Sequence, residues 1–150
     1  SLPIEEWLFF LVIPFACLFI YACLNFYIKK DFLKDIIRPI HITLCLLLLC
    51  IAIIHIDKLY TAVNFLSAVL LMIIVYVSKP HYLGRFYLAY LVSLLPFMLV
   101  NGILTALPVV SYNDAENLGV RIYTIPIEDL VYSYTLLLLN IFLYEKIKNV

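Results

Sequence analysis

The sequence predicts an all-α fold: a polytopic transmembrane bundle of about five helices in a single membrane domain, residues 1–150. Hydrophobic residues make up 66% of the chain and charged residues only 13%, whereas a soluble domain has roughly 45–50% and about 25%. The apolar residues form long blocks, each near the ~20 residues with which a helix crosses ~30 Å of hydrocarbon. The formal net charge is zero, so no polyanionic partner such as nucleic acid is indicated.

Four polar breaks separate the apolar blocks. KKDFLKDIIRP is a charged loop that ends in proline, IDK is a tight turn, SKPHYLGR contains proline and glycine, and PVVSYNDAENLGVRIYT is the longest polar stretch. The first helix begins almost at the first residue and no initiator methionine is present, so we expect the chain to be the C-terminal part of a longer membrane protein. The predicted helices are 3–28, 39–56, 60–78, 82–106 and 126–147.

The basic residues predict the orientation of the bundle. If the N-terminus faces outward, eight of the ten Lys and Arg residues lie on the cytoplasmic side, and only Lys58 and Arg121 lie outside. This is the distribution that the positive-inside rule describes. We therefore predict a multi-pass protein of the cell membrane with an outward N-terminus and a cytoplasmic C-terminus. The first and fifth helices then run in the same direction.

A short internal repeat begins each of these two helices. PIEE at the start of the first helix returns as PIED at the start of the fifth, within repeat motifs at 2–10 and 125–133. The same offset pairs Tyr21 with Tyr144. Because sites in membrane proteins tend to form between repeated halves, we expect the acidic pairs Glu5–Glu6 and Glu128–Asp129 to approach each other.

Two interpretations of these acids remain open. With proline as the first helical residue, Glu5 and Glu128 can cap the free N–H groups of the helix start. Capping needs only one acid, however, and successive residues point ~100° apart, so the second acid can face the bundle. A carboxyl group at the edge of an apolar cavity has a raised pKa, because desolvation disfavours the anion. One neutral and one ionised carboxyl make an acid–base pair, and the candidate catalytic residues are Glu5, Glu6, Glu128 and Asp129.

Polar stripes on the fourth and fifth helices have two interpretations as well. Polar groups at membrane depth either bond between helices or line a cavity. Aromatic side chains close to the acids suit the stabilisation of a carbocation by their ring faces. The stripes comprise Tyr90, Ser93, Asn101 and Thr105 on the fourth helix and Ser133, Asn140 and Tyr144 on the fifth, and the aromatic residues are Phe9, Phe10, Tyr132 and Tyr134.

The remaining chemistry-bearing residues indicate no metal site. The cysteines lie inside apolar blocks without metal-ligand spacing, and we interpret them as small core residues. The histidines are interpreted as interfacial side chains. No GxGxxG, P-loop or HExxH motif occurs, so nucleotide and zinc chemistry have no support. These residues are Cys17, Cys23, Cys45, Cys50, His41, His55 and His81.

Four segments resemble one family. SLPIEEWLFF, NGILTALPVVSYN, LGVRIYTIPIEDLVYSY and LLLLNIFLYE are similar to the lycopene cyclase domain family, the small integral-membrane carotenoid cyclases. The resemblance covers the first helix and, most specifically, residues 101–145, whereas residues 29–90 match only in character. Fused-type members of the family carry further helices before the first PIEE motif.

The resemblance implies an enzyme that converts the ψ-ends of lycopene into β-ionone rings, giving γ- and β-carotene, by protonation, carbocation ring closure and deprotonation without net redox change. The implied partners are the lipid-soluble carotenoid, the bilayer, and either a second cyclase subunit or further copies of the chain. No cofactor is evident, and a requirement for reduced flavin stays open. The roles of acid and base within the four carboxyls also stay open. Arg121 either holds one carboxylate ionised or anchors the loop. The candidate substrate-binding residues are Phe9, Phe10, Asn101, Tyr112, Asn113, Arg121 and Tyr132.

Two other functions compete with this one. A small proton-coupled transporter built from parallel repeats would also explain the duplicated acids, and it predicts a water-accessible path to them. A non-catalytic assembly subunit would use the acids only as helix caps.

Overall fold

Five helices and one short hairpin form the chain in the computed structural model, which describes residues 4–34, 36–78, 80–107 and 112–148 and the side chains from residue 12 onwards. Every predicted helix is confirmed, and no helix end differs from the prediction by more than two residues. The hairpin was not predicted; it consists of β1 Arg121–Ile122 and β2 Ile125–Pro126, antiparallel. The helices are α1 Ile4–Tyr27, α2 Ile37–Ile54, α3 Leu59–Val77, α4 Leu83–Ala106 and α5 Ile127–Lys148.

The helix lengths fit a membrane. Four helices, α2 to α5, are long and apolar enough to span a bilayer, and the described side chains of α1, Val12–Tyr27, are apolar over a shorter stretch. In hydrocarbon the backbone must satisfy its own hydrogen bonds, which is why such blocks become helices. Large apolar side chains such as Phe15, Ile54 and Leu95 are more than 70% exposed. The chain is therefore a multi-pass membrane protein; its orientation stays a prediction.

Helix α5 lies against α1, α3 and α4, and α2 packs on α3. The core between them contains Phe65, Met72, Phe86 and Leu138, each at most 2% exposed. The starts of α3 and α5 and the end of α4 lie together at one end of the bundle, because side chains from all three meet there. We call this end the acid end.

Helices α1 and α5 run parallel, as the repeat predicted. The hydroxyl of Tyr21, near the end of α1, donates to Glu145 Oε1 at 2.8 Å, near the end of α5. The ring of Tyr21 lies 6.4 Å from that of Tyr144, its partner under the repeat offset. Helix α1 therefore begins at the acid end. The side chains of the first repeat motif, 2–10, lie outside the described residues.

His41 is not interfacial, so that prediction is wrong. It is 1% exposed, and its Nδ1 lies 2.9 Å from the hydroxyl of Tyr87 and its Nε2 3.1 Å from the carbonyl oxygen of Met72. Since the carbonyl only accepts, Nε2 carries the hydrogen and Tyr87 donates to Nδ1. Two satisfied ring nitrogens remove the cost of burial. The core interpretation is also wrong for Cys50, which is exposed on α2.

Candidate active site

Two adjacent carboxyl groups lie buried at the acid end. Glu128 is 0% exposed and Asp129 is 5% exposed, both in the first turn of α5. The hairpin fixes the start of this helix, because Ile127 N–H donates to the carbonyl oxygen of Val120 at 3.0 Å. Both side chains reach away from α5 and contact other elements. The site therefore forms only when α3, α4 and the segment before the hairpin meet the start of α5.

Glu128 has one bonded and one open carboxyl oxygen. Its Oε1 accepts hydrogen bonds from the hydroxyl of Thr61 and from Leu118 N–H, both at 2.7 Å. Its Oε2 is buried and has no hydrogen-bond partner among the residues that the structure describes. The side-chain amide of Asn64 donates to its backbone carbonyl at 2.6 Å. The two oxygens of this carboxyl therefore differ: Oε1 accepts two hydrogen bonds, and Oε2 accepts none from the described residues.

Asp129 has donors on both oxygens. The hydroxyl of Tyr60 donates to Oδ1 at 2.8 Å, and the amide of Asn101 donates to Oδ2 at 2.8 Å. The hydroxyl of Tyr112 makes a third, short bond to Oδ2. The pKa of Tyr112 is raised above its ordinary value, mainly by burial and secondly by the hydrogen bond to Asp129. Tyr112 therefore remains a donor at neutral pH. Three donors on two oxygens suit an ionised carboxylate, which only accepts.

The capping interpretation does not describe the second motif. The hydrogen bonds of the two carboxyls go to α3, α4 and the segment before the hairpin. None of the bonds found in the described residues joins either carboxyl to a backbone N–H of α5. The helix-dipole term of ~0.3–1 kcal/mol still favours acids at this position, but the geometry assigns both side chains to contacts between elements.

The polar segment 112–120 completes the site by binding the start of α3. Glu116 accepts from Tyr60 N–H and Thr61 N–H through its carbonyl oxygen, at 3.2 and 3.4 Å, and from Leu59 N–H through Oε2 at 3.2 Å. The ammonium group of Lys58 donates to the carbonyl oxygen of Asn117 at 2.6 Å. These bonds cap α3 and hold the segment where Leu118 N–H and the Tyr112 hydroxyl meet the acids.

The structure brings Asn101 and Tyr112 to Asp129 and places other predicted residues elsewhere. Arg121 forms an ion pair with Asp114 and holds the pKa of that carboxyl below its usual value. Asn113 accepts from Ala115 N–H at 3.1 Å in an exposed turn. As substrate contacts, all four stay predictions. The side chains of Glu5, Glu6, Phe9 and Phe10 lie outside the described residues, and their roles stay predictions too.

Sequence reasoning missed Tyr60, Thr61 and Leu118. Two successive hydroxyl residues at the start of an apolar helix that begins on the same side as the acids were a usable signal. Leu118 acts through its backbone N–H, so its side chain gave no signal. Gly119 follows it with φ of +72°, a conformation that glycine adopts without strain.

An apolar cavity of about 220 Å³ lies between α1, α4 and α5, and we call it the groove. Asn101 and Tyr132 line it, and Tyr132 is 45% exposed. Ser93 and Ser133 also line it, which supports the cavity interpretation of the polar stripes. The hydroxyl of Tyr90 instead donates to the carbonyl oxygen of Leu130 at 3.0 Å, a bond between helices. Both interpretations of the stripes are therefore correct for different residues.

The fold and the site define a multi-pass membrane protein with two buried carboxyls at one end of the bundle and an apolar cavity between α1, α4 and α5. A comparison with protein families specifies the class. The lycopene cyclase family model matches residues 1–24 and 57–147, and the chain belongs to that family. It is, at this level, a carotenoid cyclase. The family model also covers α3, which lies outside the segments that carried the resemblance most specifically. Comparisons with curated proteins and with solved structures found no match.

Thr61→Val tests the position of Glu128. Valine keeps the shape of threonine but removes the donor to Oε1, and a buried hydrogen bond to a charged or ionisable group is worth ~1.5–3 kcal/mol. We expect cyclisation to slow by about tenfold or more, measured as carotenoid turnover per membrane-inserted protein. Thr61→Ser, which keeps the hydroxyl, should remain near wild type. Equal activity of the valine variant and wild type would remove Thr61 from the site.

Proposed function

We propose that the chain cyclises the ψ-ends of lycopene to β-ionone rings. The observation that carries the proposal is the pair of adjacent buried carboxyls with unlike hydrogen bonding. Glu128 has an open oxygen, and Asp129 is held as an acceptor by three donors. In this proposal Glu128 donates the proton and Asp129 accepts one. Membership of the family supports carotenoid cyclisation in general. The ring type and the acid and base roles of Glu128 and Asp129 are part of our proposal.

The proposed reaction is an isomerisation. Glu128 transfers the proton from Oε2 to C2 of the terminal C1=C2 double bond, which leaves a tertiary cation at C1. The electron pair of the C5=C6 double bond forms the C1–C6 bond, and the positive charge moves to C5. Asp129 then removes the proton from C6, and the C–H electrons restore the C5=C6 double bond. One proton is added to the substrate and one is removed, so the product is an isomer of the substrate and no net oxidation or reduction occurs.

Burial suits this chemistry. A carbocation reacts with water, so the site must exclude it, and Glu128 and Asp129 are both buried. The carboxylate of Asp129 also attracts the positive charge more strongly in an apolar environment than in water. The acids Glu5 and Glu6 remain candidates for the same proton transfers, since α1 begins at the acid end. The proposal includes no cofactor, and adding reduced flavin to the purified protein tests such a requirement.

The proposed function is tested by expressing the complete gene in bacteria that accumulate lycopene. We expect yellow-orange γ- or β-carotene, identified by chromatography and mass. In deuterium oxide, each β-ring should gain one deuterium at C2, because the donor exchanges with solvent between turnovers. Recovery of lycopene alone, with the protein present in the membrane, would contradict the proposal. Rings without deuterium at C2 would contradict proton donation by an exchangeable carboxyl.

The transporter alternative predicts water at the acids. Glu128 is 0% exposed, and no observation in the described residues favours that alternative. Proton flux through vesicles that contain the purified protein would support a transporter.

A further inference from the structure

We propose that the groove binds one half of the carotenoid, so that the enzyme closes one ring per binding event. The inference rests on the proposed function and extends it to how the substrate is held. It assigns the apolar surfaces of α1, α4 and α5 to the polyene chain and the end of the groove beside Asn101 to the ψ-end.

The lining of the groove fits a hydrocarbon. Its walls are aliphatic and aromatic side chains such as Ile13, Phe97 and Leu136, and its described lining includes no charged residue. The hydroxyls of Ser93 and Ser133 donate to carbonyl oxygens of their own helices at 2.8 and 2.9 Å. Their hydrogens are therefore not left to be satisfied by a ligand. A polar ligand would lose its hydration in this groove without replacing it.

The groove is connected to Asp129 through one residue. Asn101 lines the cavity, and its side-chain amide donates to Asp129 Oδ2 at 2.8 Å. A chain lying in the groove thus has its end next to the residue that contacts the proposed base. Tyr132, one helical turn beyond Asp129 on α5, lines the same cavity and offers a ring face to a nearby cation.

The length of the groove sets how much of the substrate it holds. Its lining on α4 runs from Ser93 to Leu104, which corresponds to roughly 16 Å at ~1.5 Å per residue. That is about half of the ~30 Å hydrocarbon core and shorter than an extended carotenoid, which carries a ψ-end at each terminus. Val100, which lines the groove, is 54% exposed. The groove is therefore open at the side to lipid, where the second half of the substrate can lie.

Pro14 in α1 and Pro96 in α4 lie inside helices that wall the groove. A proline inside a helix lacks the N–H that would continue the hydrogen-bond ladder, and such residues generally kink helices, which favours space between them. On α1 the lining of the groove includes Ala16, whose small side chain leaves room in the cavity.

Ala16→Phe tests the groove by filling it. We expect at least a tenfold lower kcat/KM for lycopene, mainly through KM, and a matching loss of carotenoid that co-purifies with the protein. The matched control is Ala22→Phe, because Ala22 is exposed on the same helix and the added ring points to lipid. The control should behave as wild type. Equal kcat/KM and equal bound carotenoid for the two variants would overturn the proposal.

A shortened polyene with a single ψ-end tests the half-chain claim. We expect wild type to cyclise it with a kcat/KM within about threefold of that for lycopene, and we expect the monocyclic product to appear before the bicyclic one in a time course with lycopene. Failure on the shortened polyene alone, or simultaneous appearance of both rings, would overturn the claim. Failure of wild type on lycopene itself would instead overturn the proposed function, and bound carotenoid would then still report on the groove.

Discussion

Glu128→Gln should abolish ring closure and leave lycopene-accumulating cells pink. The glutamine carbonyl oxygen can still accept the bonds from Thr61 and Leu118 that Oε1 accepts, so the site keeps its shape. The amide cannot donate a proton to a double bond at a useful rate, and general acid–base catalysis contributes roughly 10²–10⁴-fold. We therefore expect a loss of that size in cyclised carotenoid per membrane-inserted protein, measured by chromatography of extracted pigment.

Glu145→Gln is the matched control for this variant. Glu145 is buried on the same helix at the opposite end and accepts from the hydroxyl of Tyr21, a bond that a glutamine carbonyl can also accept. The control makes the same chemical change at a similarly buried residue that lies far from the site of the proposed reaction. We expect it to insert and to retain activity. Full activity of Glu128→Gln would refute its role as the donor, and equal inactivity of both variants at normal expression would make the effect structural.

The sequence predicted the helices well because lipid imposes a simple physical rule. Long apolar blocks in hydrocarbon must be helical, and the polar breaks mark their ends, so α2 to α5 were found within two residues. The hairpin at Arg121–Ile122 and Ile125–Pro126 was missed. Two-residue strands carry too little periodicity to be recognised, and here they depend on tertiary contacts, since β2 lies against α4 and α5.

The site was predicted in part. The acids Glu128 and Asp129 were singled out because two charges at the start of an apolar helix are conspicuous, and Asn101 because it is a polar residue at membrane depth. The structure brings Asn101 to Asp129, and their catalytic and substrate-binding roles stay predictions. Thr61 and Tyr60 have hydroxyls that are ordinary in such a sequence, and only the packing of α3 on α5 gives them a role. The prediction for His41 was wrong because a histidine near a helix end is usually exposed to water. Its buried partners, Met72 on α3 and Tyr87 on α4, cannot be inferred from local sequence.

Asp129→Asn should separate the two proton transfers. Asparagine keeps the size of the side chain and can keep a carbonyl oxygen for Tyr60 or for the Asn101 amide, but it cannot take a proton from C6. Since Glu128 remains, protonation and ring closure still occur, and the C5 cation must lose its charge by another route. Loss of a proton from C4 gives an ε-ring, loss from the methyl group on C5 gives an exocyclic double bond, and capture of water gives a tertiary alcohol.

The product pattern therefore reports on the role of Asp129 in a way that a structural defect does not. We expect total cyclisation to fall by about 10²-fold or more, with β-rings a minority of the rings that still form, measured by chromatography and mass spectrometry of the extracted pigments. Asp129→Glu, which restores a carboxylate with a longer reach, should return part of the β-ring. Because Glu128→Gln blocks the first step, the double variant should give no ring of any type. A residual product of Asp129→Asn that is entirely β-ring would assign the base to another residue, and Glu5 and Glu6 at the start of α1 would be the next carboxyls to substitute.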